Sequence, residues 1–498
     1  AEAVARQHAS GRLTIRERVE RLLDPGSFHE IGPQAGFAEY GEDGSTSSFD
    51  PANYVLGVGR IDGRPCVVGG EDFTQRGGSP TVAGFRKSAY AEELASSLRL
   101  PLVRFLEGGG GSVRGAAKGS GPRPAGDPVY ATHRFVSIAR ALRTAPVVSA
   151  GLGAVAGLPA ARLAASHLAI MTRSTSQVLV GGPALVERAL GERKTKEELG
   201  GAHVHGRSGV VDLVVEAEGD VFGAIRRFLS YLPTRVGELA PRGASLDEDR
   251  PERREQELLD IIPRDRRRLY DMRRLLALVL DLDSVFEIAP SYGRSQVTAL
   301  ARLDGWPVGV FANDPAFQGG AMGAEDAQKV RRFLQLCQTF HLPVLSFVDE
   351  PGFMIGSQAE AAGTIRYGVE AICAAVETTV PWATVHVRKA YGVASAAHFG
   401  PGGYVLAWPS AESGPLPIEG GVAVAFKREI ATAPDPDAKR RELEESFAKA
   451  RSAFPRAESF SVHDLIDPRD TRSELCRWLE LARPQLEREA RRRSLDPR

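Results

Sequence analysis

The hydrophobic positions fall in short apolar runs bounded by turn-forming residues. PCVVGG (65–70), PLVRFL (101–106), PVVSAG (146–151) and HLAIM (167–171) read as strands. PVGVFAN (307–313), PVLSFV (343–348) and WATVHV (382–387) form a second series. Between them lie longer stretches of helical character, among them TVAGFRKSAYAEELASSL (81–98) and AEDAQKVRRFLQLCQTF (324–340). Strand alternates with helix in both series, so the expected class is α/β. A helical tail is expected over 437–454 and a last helix near 471–493.

The two series are copies. RIDGRP (60–65) recurs as RLDGWP (302–307), and LRLPLVRFL (98–106) faces FHLPVLSFV (340–348) at the same offset. Further on, TAP (144–146) faces TVP (379–381), and eleven residues past each proline stands a glycine, Gly157 and Gly392. Upstream, RLLDPGSFHEI (21–31) matches LVLDLDSVFEI (278–288). An ordered set of this kind signals a duplication. The expected domains are 1–232 and 257–498, joined by the Pro-, Gly- and charge-rich linker 233–256. GEDGSTSSFD (41–50) is a turn-rich insertion in the first half alone.

Composition narrows the partners. With 498 residues, the chain exceeds one ordinary domain. Lys+Arg and Asp+Glu both number 63, so nothing pulls the chain toward nucleic acid or an anionic membrane. No apolar run is long enough to span a bilayer, and AEAVARQHASGRL is not a secretory signal. The four cysteines are scattered with no CxxC pair, which argues against a zinc ribbon and for free thiols in a reducing compartment. The expected location is cytoplasmic.

Candidate chemistry is sparse. GLGAVAG (151–157) imitates a dinucleotide fingerprint, but its spacing is G-x-G-x-x-x-G and no acidic residue follows at the required distance. Small residues where a strand turns into a helix serve either tight packing or amides facing a ligand oxygen. The same geometry is expected at Ala390–Ala394, and its matched position in the duplication favours a function. Gly108–Gly111 is either a flexible loop or a backbone cradle at a strand end. His203 and His205 would share one side of a strand, but no third metal ligand of suitable spacing appears. There is no G-x-S-x-G elbow, no Cys–His pair and no evident general base. The remaining tools are backbone donors.

At ELGGAHVHGRSGVVD (198–212) the chain resembles the carboxyltransferase (beta) subunits of biotin-dependent acyl-CoA carboxylases. The resemblance continues at RQHASGRLTIRERVERLLDPGSFHEI (6–31), ELLDIIP (257–263), YDMR (270–273), FVDEPGF (347–353), VPWATVHVRKAYG (380–392), LAWP (406–409) and IDPRDTR (466–472). It implies two crotonase-like domains in tandem, each a ββα superhelix, usually within a hexamer. It implies transfer of a carboxyl group from carboxybiotin to an acyl-CoA, with no metal in this chain. By position, Gly109, Gly110, Gly111, Ser112 and Val113 fall where the family binds CoA. Gly352, Phe353, Tyr391 and Ala396 fall at the biotin and acyl pocket. One oxyanion hole falls at Ala156-Gly157, the other at Gly392, Val393 and Ala394. The resemblance explains the missing base, because the ureido nitrogen of biotin can take the α-proton. The chain has no Ala-Met-Lys-Met biotinylation site and no ATP-binding half, so the family pattern implies a separate alpha subunit bearing biotin carboxylase and carrier.

Three departures bear on the expectation. The first hole is usually Gly-Gly and here is Ala156-Gly157. Val393 replaces a glycine and Ala396 an aspartate that tunes acyl choice, which implies a longer or differently shaped acyl group. Val393 keeps its amide available only if its φ is negative. Two other readings stay open: a decarboxylase or transcarboxylase subunit of the same fold, and a non-catalytic paralogue that assembles with an active carboxylase.

Overall fold

The computed structural model describes residues 2–109, 133–244, 246–266 and 268–495. The chain divides into two compact units, one ending at Glu238 and the other spanning Leu239–Leu495. Much of the Pro- and charge-rich stretch belongs to the second unit. The Gly243 amide donates to the Gly305 carbonyl at 2.8 Å, and the buried Asp249 accepts from the Leu282 amide at 3.0 Å.

In the first unit, β1 (Tyr54–Ile61) and β2 (Arg64–Glu71) form an antiparallel hairpin over Asp62-Gly63. Both turn residues have positive φ, 51° and 78°, and two-residue turns of this kind match the natural twist of paired strands. Helix α1 (Val82–Leu98) then crosses to β3 (Leu102–Gly108), which pairs with β2 in parallel. Thr81 caps the start of α1 by accepting from the Gly84 amide. Arg99 ends it in the left-handed conformation, and Pro101 prevents its continuation. The parallel sheet continues through β4 (Val147–Ala156) and β5 (Leu168–Thr172), with α2 (Leu158–Ala164) starting directly after β4.

The second unit repeats the device. β6 (Gln296–Leu303) and β7 (Trp306–Asn313) turn on Asp304-Gly305, at φ 50° and 75°. Helix α3 (Ala324–Phe340) has 17 residues, as α1 has, and ends on left-handed His341. Parallel strands β8 (Val344–Glu350), β9 (Trp382–Tyr391) and β10 (Tyr404–Ala407) follow. Among the described residues each unit carries an eight-stranded sheet. The duplicated RIDGRP and RLDGWP are thus the two hairpin turns.

The strands outrun the apolar runs that predict them. β2, β3 and β4 continue to Glu71, Gly108 and Ala156, because pairing with neighbouring backbone extends past the last large apolar side chain. GLGAVA is therefore the second half of β4 and not a loop. The insertion 41–50 is the turn and returning strand of an exposed hairpin between Gly36–Tyr40 and Thr46–Pro51. In the second unit Val310, Leu345, Phe347, Val385 and Val387 pack with Met272, Leu275 and Leu276 of the helix Met272–Val279. This rigid core fixes where the strand ends stand.

Candidate functional site

β2, β3 and β4 are sheet neighbours and run parallel, so their C-terminal ends lie side by side. Crevices outside such ends are the usual ligand sites of α/β folds. Glu71 ends β2, Gly109 follows β3 and Gly157 follows β4. All three line one cavity of about 250 Å³, with Asn53, Tyr54 and Arg162. Gly157 has φ 65° and ψ −131°, a conformation that a side chain would oppose. The amides of Gly157 and Leu158, both at this cavity, have no acceptor among the described residues. Ala156 is the last residue of β4 and is not among the lining residues.

Glycine is required at the end of β3 for a separate reason. A Cβ on Gly78 would lie 2.4 Å from the Glu107 carbonyl oxygen, and one on Gly108 would lie 2.7 Å from the Gly78 carbonyl oxygen. Two backbones touch there. Gly110, Gly111, Ser112 and Val113 lie outside the described residues.

The two acids at this edge differ. The Glu107 carboxylate is fully buried and ion-paired with Arg12 at 2.5 Å and Arg18 at 2.7 Å, while Gln7 donates to it. Glu71 is also buried, but its carboxyl accepts from backbone amides, that of Glu107 at 3.3 Å and its own, and forms no such ion pair. Burial pushes its pKa up to about 7, against the opposing pull of Arg162 and Arg104. A buried carboxyl that titrates near neutrality in a cavity marks a candidate for proton transfer. No general base is legible in the sequence, because GGEDF carries no recognisable motif. The available signal is the duplication, in which Glu71 matches Asn313.

In the second unit β9 ends at Tyr391, and Gly392 follows at φ 62° with its amide held by the Gly414 carbonyl at 3.0 Å. Val393 is helical, at φ −69° and ψ −34°, and 61% exposed. The amides of Val393 and Ala394 have no acceptor among the described residues. Gly352, at φ 125°, approaches this turn: a Cβ there would lie 3.8 Å from the Tyr391 carbonyl oxygen. Phe353 packs over Gly368 of the helix Thr364–Val376. The Tyr391 ring is buried against Ile418, Val422 and Ile430, so it packs the core under the turn. Ala396 is half-buried on the turn Ala394–His398.

A buried polar cluster supports this turn. Glu350 is fully buried, accepts from Asn313 at 3.0 Å and from the Gly352 amide at 2.9 Å, and is held well above the usual carboxylate range by burial. His398 stacks on Phe311, shares a 2.8 Å hydrogen bond with Ser346, and is held down to about 3 by burial. His203 and His205 lie on the helix Ala202–Ser208 rather than a strand, so their two-residue spacing separates them. Among the described residues no three His, Cys, Asp or Glu side chains gather as a metal site.

The sequence pattern of the carboxyl transferase domain matches residues 6–494. The chain belongs to that family. A propionyl-CoA carboxylase carboxyltransferase subunit from Haloferax mediterranei is 33% identical over 490 residues, covering 96% of this chain and 92% of the relative. The methylmalonyl-CoA carboxyltransferase 12S subunit of Propionibacterium freudenreichii subsp. shermanii is 34% identical over 487 residues, covering 96% and 90%. The methylmalonyl-CoA decarboxylase subunit alpha of Veillonella parvula is 31% identical over 494 residues, covering 98% and 93%. A transcarboxylase 12S crystal structure, a hexamer assembly with methylmalonyl-coenzyme A and methylmalonic acid bound, superposes with a TM-score of 0.85 at 31% identity, covering 97% of this chain and 92% of that one. Both units of this carboxyltransferase therefore have the crotonase-like fold, and the chain is an enzyme of acyl-CoA carboxyl transfer. Among the described residues no helix is long and apolar enough to cross a membrane.

Proposed function

We propose that the chain transfers a carboxyl group, carried as carboxybiotin on a separate subunit, to the α (or vinylogous) carbon of an acyl-CoA. The observation that carries this reading is the matched pair of strand-end turns. Gly157 and Gly392 stand at equivalent positions with φ 65° and 62°, each beside amides that no described residue uses. Such donors suit the two oxyanions of the reaction, the thioester enolate and the biotin enolate. The donors at the first turn are the Gly157 amide with a neighbour, Ala156 or Leu158. Those at the second are Val393 and Ala394. Preorganised amides act strongly in a desolvated site, because they need no reorientation as charge develops. Gly109–Val113 would hold the CoA, and Gly352, Phe353, Tyr391 and Ala396 would shape the biotin and acyl side.

Carboxybiotin would supply the carboxyl group and a nitrogen able to take a proton. The chain itself binds, orients and excludes water. The partner would be an alpha subunit with biotin carboxylase and carrier functions, and the oligomer a hexamer like that of the 12S relative. Relatives that carboxylate, decarboxylate and transcarboxylate match to the same degree, and one site serves both directions.

The test uses the purified chain with methylmalonyl-CoA, with and without biocytin. Loss of the carboxyl group that requires biocytin is the expected result. No loss, or loss indifferent to biocytin, would sink the reading. Sedimentation at the mass of six chains checks the oligomer.

A further inference from the structure

The first-unit cavity holds a group that carboxyl transfer through biotin does not call for. Glu71 stands at the C-terminal end of β2, and Gly157 stands two strands away at the end of β4. Both line the cavity, with the Leu158 amide and Tyr54 beside them. The Glu107 amide fixes one carboxyl oxygen of Glu71. Its own backbone amide is the other donor, and no side-chain hydrogen bond to the carboxyl is present among the described residues, so its remaining lone pairs make Glu71 the cavity's acid–base group. We infer that Glu71 is a catalytic base that removes the α-proton of a bound acyl-CoA without biotin, making the chain an α-hydrogen exchange catalyst. The inference rests on the reading that this cavity holds the acyl thioester.

The step balances within the chain and water. The Glu71 oxygen forms an O–H bond as the α C–H bond breaks. The electron pair of that C–H bond becomes the enolate, whose negative oxygen is received by the amides of Gly157 and Leu158. In heavy water the carboxyl exchanges its proton with solvent through the cavity mouth and returns a deuteron to carbon. Enolisation needs a base and oxyanion donors in one site, and here both line one cavity, at the ends of β2 and β4.

The charged and titratable groups around Glu71 come from every packed element. They are Tyr54 on β1, Glu92 on α1, Arg104 on β3 and Arg162 on α2, with Glu107 and its partners Arg12 and Arg18 behind β3. Arg104 and Arg162 are both engaged by Glu92, at 3.0 and 2.8 Å. Burial therefore dominates over their attraction, and Glu71 gains base character as pH passes about 7.

The experiment follows deuterium entry into propionyl-CoA in heavy water by mass spectrometry, with the full chain and no biotin. Exchange is expected, rising with pH and levelling above about 7. Glu71→Gln should lower it by about 10²-fold or more, the usual contribution of a positioned base, with Glu71→Asp in between. Thermal melting and propionyl-CoA affinity of each variant establish that it folds and still binds. A folded, binding Glu71→Gln protein with undiminished exchange overturns the assignment. So does a wild-type chain that decarboxylates methylmalonyl-CoA with biocytin yet exchanges no α-hydrogen, and in that case the carboxyl-transfer reading stands. If the wild type neither binds propionyl-CoA nor decarboxylates, the reading of the cavity fails first and this inference with it.

Discussion

The two units share one backbone and solve the same electrostatic problem differently. Each buries a carboxylate at the end of its third core strand, Glu107 in one and Asp349 in the other, at equivalent positions of the repeat. In the second unit the counter-charge sits on the neighbouring strand: Arg388 meets Asp349 at 2.8 Å, and Tyr270 donates to it at 3.0 Å. In the first unit the position matching Arg388 is Gly153, and the counter-charge comes from the N-terminal segment. A Cβ on Gly153 would lie 2.6 Å from Glu107 Oε1 and 2.8 Å from Arg12 Nη1. The missing side chain is the space through which Arg12 reaches the acid. Duplicated folds keep the backbone device and exchange the side chains that satisfy it, so a carboxylate can be structural in both copies yet depend on different parts of the sequence.

The largest effect expected of a single change separates these two solutions. Arg388→Ala leaves the fully buried Asp349 without its guanidinium and should cost about 3–5 kcal/mol of stability. Arg12→Ala leaves Glu107 still paired with Arg18 and Gln7 and should cost well under half as much. Denaturant unfolding of both variants measures the difference. Equal losses would mean that the N-terminal segment, and not local pairing, governs the first unit.

A second comparison concerns the oxyanion turns. Val393 already has the φ of a proline, −69°, and its amide carries no hydrogen bond within the described residues. Val393→Pro should therefore leave the fold intact while deleting one donor. A loss of roughly 10²–10³ in the rate of biocytin-dependent decarboxylation is expected. A variant with full activity would remove the second turn from the chemistry.

A third comparison concerns the carboxyls whose pKa burial raises. The Glu71 carboxyl accepts the Glu107 amide, and Asn313 accepts the Asp349 amide in the same way, at 3.3 and 2.9 Å. The second unit then places its burial-raised acid one strand over, at Glu350, where the first unit has Gly108. Glu71 is raised from 4.5 to about 7, so the sign of its effect on stability is fixed. Below pH 4.5 both folded and unfolded forms are protonated and nothing is lost. Between 4.5 and 7 only the unfolded chain ionises, so stability falls as pH rises, by up to about 3 kcal/mol above pH 7. Glu71→Gln keeps an oxygen for the Glu107 amide and should recover most of that at pH 8 while changing little at pH 4.5. The buried His386 and His398, both held to about 3 from 6.5, act in the opposite direction. They are neutral in the fold and destabilise the second unit as pH falls below 6.5. Unfolding curves at several pH values read both effects.

Much of this was legible in the sequence. The repeated Asp-Gly pairs, the two prolines after matched helices and the glycines Gly157 and Gly392 gave the α/β duplication and the turn positions. Backbone geometry leaves such marks because only certain residues tolerate it. The ion pairs did not show, since Arg12 and Glu107 are distant in sequence and meet through the absence of a side chain at Gly153. Glu71 did not show either. Its chemistry comes from burial and from a cavity formed by three strand ends, which no local pattern encodes. Tyr391 and Phe353, placed at a ligand pocket by resemblance, also make packing contacts under and beside the turn, which the motif does not reveal.

The smallest expected effect is the most discriminating for the turn itself. Val393 stands where the related pattern has glycine, which raised the possibility of a degenerate site. A glycine would matter there only if the backbone needed a positive φ or if a side chain blocked the ligand. The φ of −69° meets no such need, and the exposed side chain points its bulk to where it is 61% accessible. Val393→Gly should then change the biocytin-dependent rate by less than about threefold and stability by a few tenths of a kcal/mol, since residues flanking a helix start tolerate glycine at small cost. A large gain in rate on this substitution would show that the valine obstructs the site and that the second turn had drifted from its chemistry. No change would place the burden of acyl choice elsewhere along the turn, at Ser395–Ala397, where the next substitutions belong.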